Sequence, residues 1–298
     1  MTYLVYVLIC LIWGSTWIAI KIGLSQAPPF YTSSLRFLLS LGILVAIVAI
    51  KKYPYPKGFK NFFSLGVPGF FMYGISYALV YFSEIYIDSS LAALLFGSFP
   101  FFVALLSMWQ LKSEKLQPLG WLGLIIGMAG VTLISYDSLQ TSRDLFLGTL
   151  LLLGGAGASA CGMVLHKKKF SNRNIFVCIT VQMMFGGFLL VLGALLFEDI
   201  SDFVVSPESV GSILYLAVLG SVVTFLGYYW LLARTRAVTV SMIAFITPLV
   251  AIFIGVVFFE ESLSLRIAYG AVLILSGILL VERPRKNRLA RQRTSLPN

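Results

Sequence analysis

The sequence predicts an all-α integral membrane protein whose ten transmembrane helices form two inverted five-helix repeats. Three observations lead to this prediction: long apolar blocks, basic residues concentrated in alternate loops, and a repeat between the halves. Of the 298 residues, 59% are hydrophobic and 11% are charged, and the mean hydropathy is +0.93. A water-soluble domain of this size needs far more polar surface. We therefore expect lipid to surround most of the chain.

The apolar residues form continuous blocks, most of them about 20 residues long, which is the length that crosses the hydrocarbon core of a bilayer. Continuous blocks predict helices, whereas a membrane β-barrel would require alternation. The first block lacks the flanking features of a signal peptide, so we expect it to stay in the mature protein. The predicted spans are Tyr3–Ile20, Phe30–Ile50, Phe62–Ser83, Ser89–Trp109, Leu116–Tyr136, Leu145–Leu165, Ile175–Phe197, Val210–Ala233, Ala237–Phe259 and Ile267–Val281.

Lysine and arginine residues concentrate in every second loop and in the C-terminal tail. Across ten spans, eighteen of the 22 basic residues fall on one side of the membrane, and ten of the twelve acidic residues fall on the other. Because cytoplasmic loops are enriched in Lys and Arg, this pattern predicts that both termini are cytoplasmic. The net charge of +10 then reflects orientation, and we expect membrane lipid rather than nucleic acid as the partner of the basic tail.

The two halves of the sequence resemble each other at a spacing of 147 to 148 residues. Pro100 in span four matches Pro248 in span nine, and Tyr81 matches Tyr229, both at 148 residues. Since each half has five spans, an odd number, the second half crosses the membrane in the opposite sense. Inverted repeats of this kind predict a midplane site that opens to each side in turn. The pairs 147 residues apart are Glu114 and Glu261, Leu116 and Leu263, Gly123 and Gly270, and Gly130 and Gly277.

These residues resemble the EamA-type branch of the drug/metabolite transporter superfamily. The resemblance is carried by Trp13-Gly14-Ser15-Thr16-Trp17 with Lys21, by Ser34–Leu39, and by the twice-occurring proline, downstream acid and glycine-rich helix. It implies two inverted five-helix repeats, a central cavity, and transport or export of metabolites. On this basis residues 1–138 form the first repeat, residues 144–283 the second, and residues 284–298 a basic cytoplasmic tail. Members of the superfamily handle amino acids, nucleosides, sugars, quaternary amines and drugs, so the resemblance leaves the substrate open.

The first span contains two indoles and two hydroxyls within one helical turn. We hypothesise that Trp13, Ser15, Thr16 and Trp17 face the cavity, where indole rings can stack on aromatic or cationic groups of a solute. The alternative is helix packing through Gly14 and Ser15, with Trp13 facing lipid.

Polar side chains in the second, third and eighth spans are further candidates for binding. Arg36 is the formal charge farthest inside any span, and it either receives a solute carboxylate or phosphate, or snorkels outward, or pairs with backbone or Glu84. Tyr73 and Tyr77 share one helix face near the midplane, where a hydroxyl needs a partner. We expect both to line the cavity, together with Tyr228 in span eight.

Pro100 and Pro248 are predicted hinges or helix breaks, because proline removes a helical hydrogen bond and frees a carbonyl. A static kink is the alternative. Ser98 and Thr247 beside them either satisfy the freed backbone or contact solute. Ser159 and Gln182 are the remaining polar candidates for solute binding in the second half.

The sequence lacks the residues that enzymes, metal-binding proteins and proton-coupled exchangers commonly require. With one histidine, three scattered cysteines and no acidic cluster, the sequence predicts no catalytic residues, metal or cofactor. The acids Glu84, Asp88, Glu260 and Glu261 lie at the outer ends of spans, where we expect solvent. Because no carboxylate lies in the middle third of a span, we expect transport without a buried carboxylate as the proton carrier. His166, beside three lysines at the predicted inner edge, is not expected to act as a sensor.

The sequence thus predicts a multi-pass transporter of the plasma membrane, monomeric or dimeric, that moves small organic solutes by alternating access. We expect amino acids or related metabolites as substrates and export as the direction. A proton-coupled exporter of nucleosides, sugars or quaternary amines is the alternative. A channel and an integral membrane enzyme are more remote, since neither a carbonyl-rich filter segment nor a catalytic set is present.

Overall fold

The computed structural model describes residues 1–87, 89–111, 116–134, 143–250 and 265–282, and all the regular structure within them is helical. Two helices continue through a six-residue π-helical segment, and a short 3-10 turn covers Ile200–Asp202. The α-helices are α1 (Thr2–Leu24), α2 (Pro29–Ile50), α3 (Phe59–Gly69), α4 (Ser76–Tyr86), α5 (Ser89–Phe96), α6 (Phe99–Gln110), α7 (Pro118–Ile134), α8 (Arg143–Phe170), α9 (Ile175–Phe197), α10 (Pro207–Ala217), α11 (Thr224–Leu232), α12 (Ala237–Ser241), α13 (residues 243–250) and α14 (Leu265–Glu282).

The described helices agree with an all-helical membrane protein. Six helical stretches are long and apolar enough to cross a bilayer, and four shorter apolar helices fall within the other predicted spans. The count of ten spans remains a prediction. The six long stretches are Thr2–Leu24, Pro29–Ile50, Phe59–Tyr86, Leu145–Phe170, Ile175–Phe197 and Pro207–Leu232.

The same local irregularity occurs once in each half. A π-helical segment, Phe70–Ile75, joins α3 to α4, and a second, Val218–Val223, joins α10 to α11. The two segments, the helices that precede them and the helices that follow begin 148 residues apart. In a π-helix the hydrogen bonds run from i to i+5, and such turns are frequent at functional sites. The repeat that is visible in the sequence therefore extends to the backbone conformation.

The predicted fourth span is interrupted at Gly97 and Ser98, and α6 begins directly after them. The proline ring of Pro100 would clash with the carbonyl four residues earlier in a continuous helix, so the helix restarts with Pro100 in its first turn. The predicted ninth span is interrupted at Met242, and Pro248 lies inside α13. The two prolines therefore occupy different positions relative to their helix breaks.

Helices of the first half pack against helices of the second half along the whole bundle. Helix α2 lies against α9 and α10, α3 against α9, and α4 to α6 against α8. The α2 N-terminus is capped from the second half, because the Glu198 carboxylate accepts hydrogen bonds from the Phe30 and Tyr31 amides at 2.8 and 2.9 Å. The halves therefore share one interior.

Helices α7 and α14 cross at glycines, which allow the two backbones to touch. A β-carbon at Gly123 would lie 2.6 Å from the Gly277 carbonyl oxygen, and one at Gly130 would lie 2.6 Å from the Gly270 carbonyl oxygen. Gly270 and Gly277 are the repeat counterparts of Gly123 and Gly130. If each residue is replaced by its repeat counterpart, the Gly123–Gly277 contact becomes the Gly130–Gly270 contact. This is the relation expected for two helices related by a two-fold axis.

We predict that Gly123→Ala destabilises the protein by about 1–3 kcal/mol, because the added methyl group meets backbone that cannot move aside. Gly42→Ala in α2 is the matched control, since a β-carbon there meets nothing within 4 Å. The control should be neutral or slightly stabilising, because alanine favours helix over glycine. Thermal unfolding in detergent measures both. Equal melting temperatures for Gly123→Ala and the unchanged protein would contradict the tight crossing.

Candidate functional site

A cavity of about 90 Å³ lies between the two halves in the interior of the bundle. This space holds roughly six to nine water molecules at 10–15 Å³ each. Its wall is mainly aromatic and aliphatic, with polar groups at a few positions. The lining residues are Trp13, Thr16, Trp17, Ile20, Arg36, Met72, Ser76, Tyr77, Val80, Phe96, Phe99, Ser159, Phe225, Tyr228, Val240, Ser241, Ile243, Ala244 and Thr247.

Arg36 carries the charge of this cavity, and its side chain is only 1% exposed. Its Nε donates to the Ser221 hydroxyl at 2.8 Å, and its Nη2 donates to the Gly220 carbonyl at 2.9 Å. Tyr81 and Tyr77 hydroxyls accept from Nη1 and Nη2 at 3.3 and 3.5 Å. The side chain therefore points into the protein and pairs with backbone rather than snorkelling outward.

All four hydrogen-bond partners of Arg36 are neutral, and within the described chain no carboxylate is bonded to it. A buried cation without a counter-ion is costly, by about 2.5–3.5 kcal/mol or more at the centre of a membrane. The guanidinium also lies 4.9 Å from the Tyr77 ring centroid, where the π face stabilises positive charge. The site is consequently prepared to accept an anion.

The second π-helical segment provides the acceptors for Arg36. The Gly220 carbonyl within it accepts hydrogen bonds from Arg36 and also from the Trp13 indole, at 3.2 Å. A β-carbon at residue 220 would lie 3.0 Å from the Thr16 side chain and 3.3 Å from Arg36 Nη2. Glycine therefore suits this position, because a β-carbon would press on Thr16 and on the guanidinium.

Three of the four candidates in the first helix line the cavity. Trp13, Thr16 and Trp17 face it, and the Trp13 ring packs edge-on against Phe225 with centroids 5.4 Å apart. Ser15 faces elsewhere, because its hydroxyl donates to the Ile12 carbonyl at 2.7 Å and bonds the Tyr215 hydroxyl. The helix thus presents indoles to the cavity and uses Ser15 for packing.

The remaining polar candidates at the cavity lie on helices of both halves. Tyr77, Ser159, Tyr228 and Thr247 line it, and the Tyr228 hydroxyl has no hydrogen-bond partner among the described residues. The Thr247 hydroxyl donates at 3.3 Å to the Ala244 carbonyl, the group that Pro248 leaves free. The Tyr228 hydroxyl is therefore a buried polar group at the cavity whose hydrogen-bonding capacity is unused within the described residues.

Tyr73, Ser98 and Gln182 lie outside the cavity wall. The Ser98 hydroxyl is buried beside the helix break and has no partner within the described residues. The Tyr73 hydroxyl donates to the Tyr229 hydroxyl at 3.2 Å, which in turn donates to Gln182 Oε1 at 2.6 Å. Gln182 Nε2 is 2.9 Å from His166 Nδ1. Tyr73, Tyr229, Gln182 and His166 thus form a polar layer that is separate from the cavity wall.

Two expectations about titratable residues are corrected by the structure. His166, beside three lysines, is not exposed but buried, at 2% exposure, in the layer just described. Glu84 is not solvated but buried at 1% exposure near Lys21, whose Nζ lies 3.4 Å from the Glu84 carbonyl oxygen. Both residues lie near helix ends in the sequence, where burial depends on neighbouring helices. Asp88, Glu260 and Glu261 lie outside the described residues.

Sequence reasoning missed the acceptors Gly220 and Ser221 and the aromatic wall residues Phe96 and Phe225. A glycine inside span eight was the available signal, since it marks close approach of another group. The three cysteines are unpaired thiols, and no cluster of metal-binding side chains occurs in the described part of the chain.

Comparisons with known proteins agree on a transporter. A model of the EamA-like transporter family matches residues 1–136 and 146–283. The chain is similar to the uncharacterized transporter YoaV of Bacillus subtilis, with 28% identity over 282 residues, 91% of this chain and 93% of that protein. It is also similar to the uncharacterized inner membrane transporter YedA of Escherichia coli, with 23% identity over 256 residues, 85% and 81% of the two chains.

The protein PagO of Salmonella typhimurium is 25% identical over 281 residues, which cover 93% of this chain and 91% of PagO. A crystal structure of a protein with 17% sequence identity matches the fold with a TM-score of 0.76 over 99% of both chains. At this identity the structural match establishes the fold alone. The family and the names of these relatives indicate transport rather than catalysis.

We predict that Tyr229→Phe destabilises the protein by about 1–3 kcal/mol, because it leaves Gln182 and Tyr73 without a buried partner. Tyr228→Phe is the matched control, since it removes a neighbouring hydroxyl that has no described partner. Thermal unfolding of both variants measures the difference. A smaller loss for Tyr229→Phe than for Tyr228→Phe would show that the polar layer does not stabilise the fold.

Proposed function

Because the chain belongs to the EamA-like transporter family, we propose that it exports amino acids or related small carboxylates by alternating access at the cavity beside Arg36. Membrane transport of a small molecule follows from the family. The substrate class rests on the cavity, the mechanism on the relation between the halves, and the direction on the resemblance to metabolite exporters.

The buried Arg36 guanidinium is the observation that carries the substrate class. It lies in the cavity wall with neutral partners only, and none of the described lining residues is acidic. A solute carboxylate would supply the missing negative charge through charge-assisted hydrogen bonds. A quaternary amine would place a second cation beside Arg36, so the cavity disfavours that alternative.

The aromatic wall supports a solute with an apolar body. Trp13, Trp17, Phe96 and Phe225 surround the space next to the guanidinium. Aromatic side chains bind flat or branched apolar groups through large contact areas. The Tyr228 hydroxyl can accept a hydrogen bond from a solute ammonium group or donate one to a second oxygen. An amino acid with an apolar side chain matches these features.

Alternating access is supported by the correspondence between the halves. Both contain a π-helical segment 148 residues apart, and their last described helices, α7 and α14, cross at symmetry-related glycines. Residues 1–138 and 144–283 would then be the two repeats, with residues 284–298 outside the described chain. Two such halves can exchange conformations, which opens the shared cavity first to one side and then to the other.

We predict that proteoliposomes take up phenylalanine but neither phenylalanine amide nor phenethylamine, which lack the carboxylate. Arg36→Lys should lower phenylalanine transport at least about tenfold, because lysine cannot reproduce the planar contacts and charged hydrogen bonds contribute about 1.5–3 kcal/mol. Leucine and other apolar amino acids should compete with labelled phenylalanine for uptake.

Trp17→Ala should reduce transport in the same assay, while Trp109→Ala, which alters a tryptophan that is 80% exposed, is the matched control and should not. Faster transport of phenethylamine than of phenylalanine would refute the anion site. Unchanged transport in both Arg36→Lys and Trp17→Ala, at equal protein levels, would remove the cavity from the transport path.

We also predict the membrane sidedness of three exposed positions in a cysteine-free background. Lys57→Cys and Asn172→Cys should react with an impermeant maleimide only from the cytoplasmic face, and Asp202→Cys only from the outer face of the plasma membrane. Labelling of intact cells and inverted vesicles measures this. Reaction of Lys57→Cys and Asp202→Cys from the same face would exclude the inverted arrangement.

A further inference from the structure

The buried layer of Tyr73, Tyr229, Gln182 and His166 fixes the protonation state of the histidine. Tyr229 donates to Gln182 Oε1 at 2.6 Å, so the other end of that amide, Nε2, faces His166 Nδ1 at 2.9 Å. An amide nitrogen can only donate, and Nδ1 must therefore accept. The ring is held neutral, with its proton on Nε2.

This layer connects the two halves beneath the cavity. Tyr73 belongs to the first π-helical segment, whereas Tyr229, Gln182 and His166 belong to α11, α9 and α8 of the second half. His166 lies seven residues, or about two turns, closer to the end of α8 than the cavity residue Ser159. The Tyr73–Tyr229 hydrogen bond is thus a contact between the halves on the side of the cavity that is predicted to face the cytoplasm.

The charged and titratable groups around His166 include no described carboxylate. The His166 ring lies 4.1 Å from the Tyr229 ring, and Cys178 lies one turn from Gln182 on α9. Lys167, adjacent in sequence, points its ammonium group to the Leu232 and Thr235 carbonyls. Lys168 reaches toward Gln110 on α6. Glu282, the last residue of α14, lies at the same end of the bundle as His166, since the Val281 carbonyl beside it accepts from Arg236. The other described acidic residues, Glu84, Asp144, Glu198, Asp199, Asp202 and Glu208, lie at the opposite end.

We propose that His166 is a proton-binding site that controls the cytoplasmic side of the cavity. In the closed arrangement Nδ1 accepts a hydrogen bond and the ring is 2% exposed, so a second proton is excluded. When the halves separate on this side, water reaches the ring and the proton can bind. Because binding and closure exclude each other, acidification of the cytoplasmic side favours the open state. This proposal rests on the alternating access proposed above.

A proton on Nδ1 reverses the direction of the whole chain of hydrogen bonds. The ring then donates to Gln182 Oε1, the amide nitrogen turns to Tyr229, and the Tyr229 hydroxyl becomes an acceptor there. The Tyr229 hydrogen then turns either to Met72 Sδ, a weak acceptor 3.4 Å away, or to the oxygen of Tyr73, whose own hydrogen would lose its acceptor. The Tyr73 ring is packed between Phe37 and Phe225, at 5.6 and 4.7 Å, and Tyr73 has no second hydrogen-bond partner in the described chain. The protonated closed arrangement therefore leaves one buried hydroxyl hydrogen with a weak acceptor or none, which destabilises it relative to the open state.

Spin-label distances can test this without knowledge of the substrate. In a cysteine-free background, labels at Asn61→Cys on α3 and Ala233→Cys after α11 report on the separation of the halves at the cytoplasmic end, and both positions are exposed. Between pH 8 and pH 5 in lipid bilayers, the ratio of long to short distances should rise by up to about 30-fold. The limit of about 30-fold applies if the imidazole has a pKa of about 6.5 in the water-exposed open state and binds no proton in the closed state.

His166→Gln is the key variant, because glutamine can bond Gln182 but takes up no proton in this range. Its distance distribution should not change with pH. His166→Asn also takes up no proton in this range and should likewise show no pH response, so it provides an independent test if His166→Gln does not accumulate. An unchanged ratio in the parent protein, or an equal pH response in either variant, overturns the proposal.

Tyr73→Phe distinguishes failure of this proposal from failure of alternating access. Phenylalanine removes the hydrogen bond between the halves, so long distances should increase at both pH values. If long distances increase in Tyr73→Phe but do not change with pH in the parent protein, only the proton site is wrong. If no variant and no pH produces a long distance, alternating access at this end is wrong as well.

Discussion

The buried charge of Arg36 is the constraint on which the rest of the interior depends. A guanidinium inside a membrane protein must have its donors satisfied, because neither water nor lipid does so there. Two of its acceptors come from residues 220 and 221, on the other half of the chain. The charge therefore holds α2 against the junction of α10 and α11, and the cavity lies beside that junction.

This requirement explains why the second π-helical segment lies where it does. A regular α-helix would bond the Gly220 carbonyl internally, whereas here it accepts from both Arg36 and Trp13. Glycine also fits this position closely, since a β-carbon would press on Thr16 and Arg36. The first π-helical segment carries Tyr73 instead and provides the hydrogen bond to Tyr229. The π-helical segment of the second half thus contributes to the cavity, and that of the first half contributes to the Tyr73–Tyr229 contact between the halves.

Much of this architecture could be predicted, because hydropathy and proline spacing are local properties of the sequence. The apolar spans, the repeat, and the cavity positions of Trp13, Arg36 and Tyr77 follow from them. The partners of Arg36 could not be predicted, since they depend on which backbone carbonyl a helix irregularity leaves free. The sequence predicts solvent around Glu84 and an edge position for His166 because both are near helix ends, but burial there is decided by the neighbouring helices. The structure places Ser15 and Tyr73 outside the cavity wall, because helical spacing does not fix which neighbour a face meets.

The difference between the halves is as important for function as their similarity. At the repeat spacing of 147 to 148 residues, Trp13 corresponds to Ala160 or Cys161, so the second half has no counterpart of this indole. A tryptophan on α1 and a serine on α8 line the same cavity, and the missing bulk of the second ring leaves space for a solute. Two identical halves would fill that space or duplicate the charge. In the proposed mechanism a symmetric frame would let the halves exchange conformations, while the asymmetric side chains would create one oriented site for one anionic group.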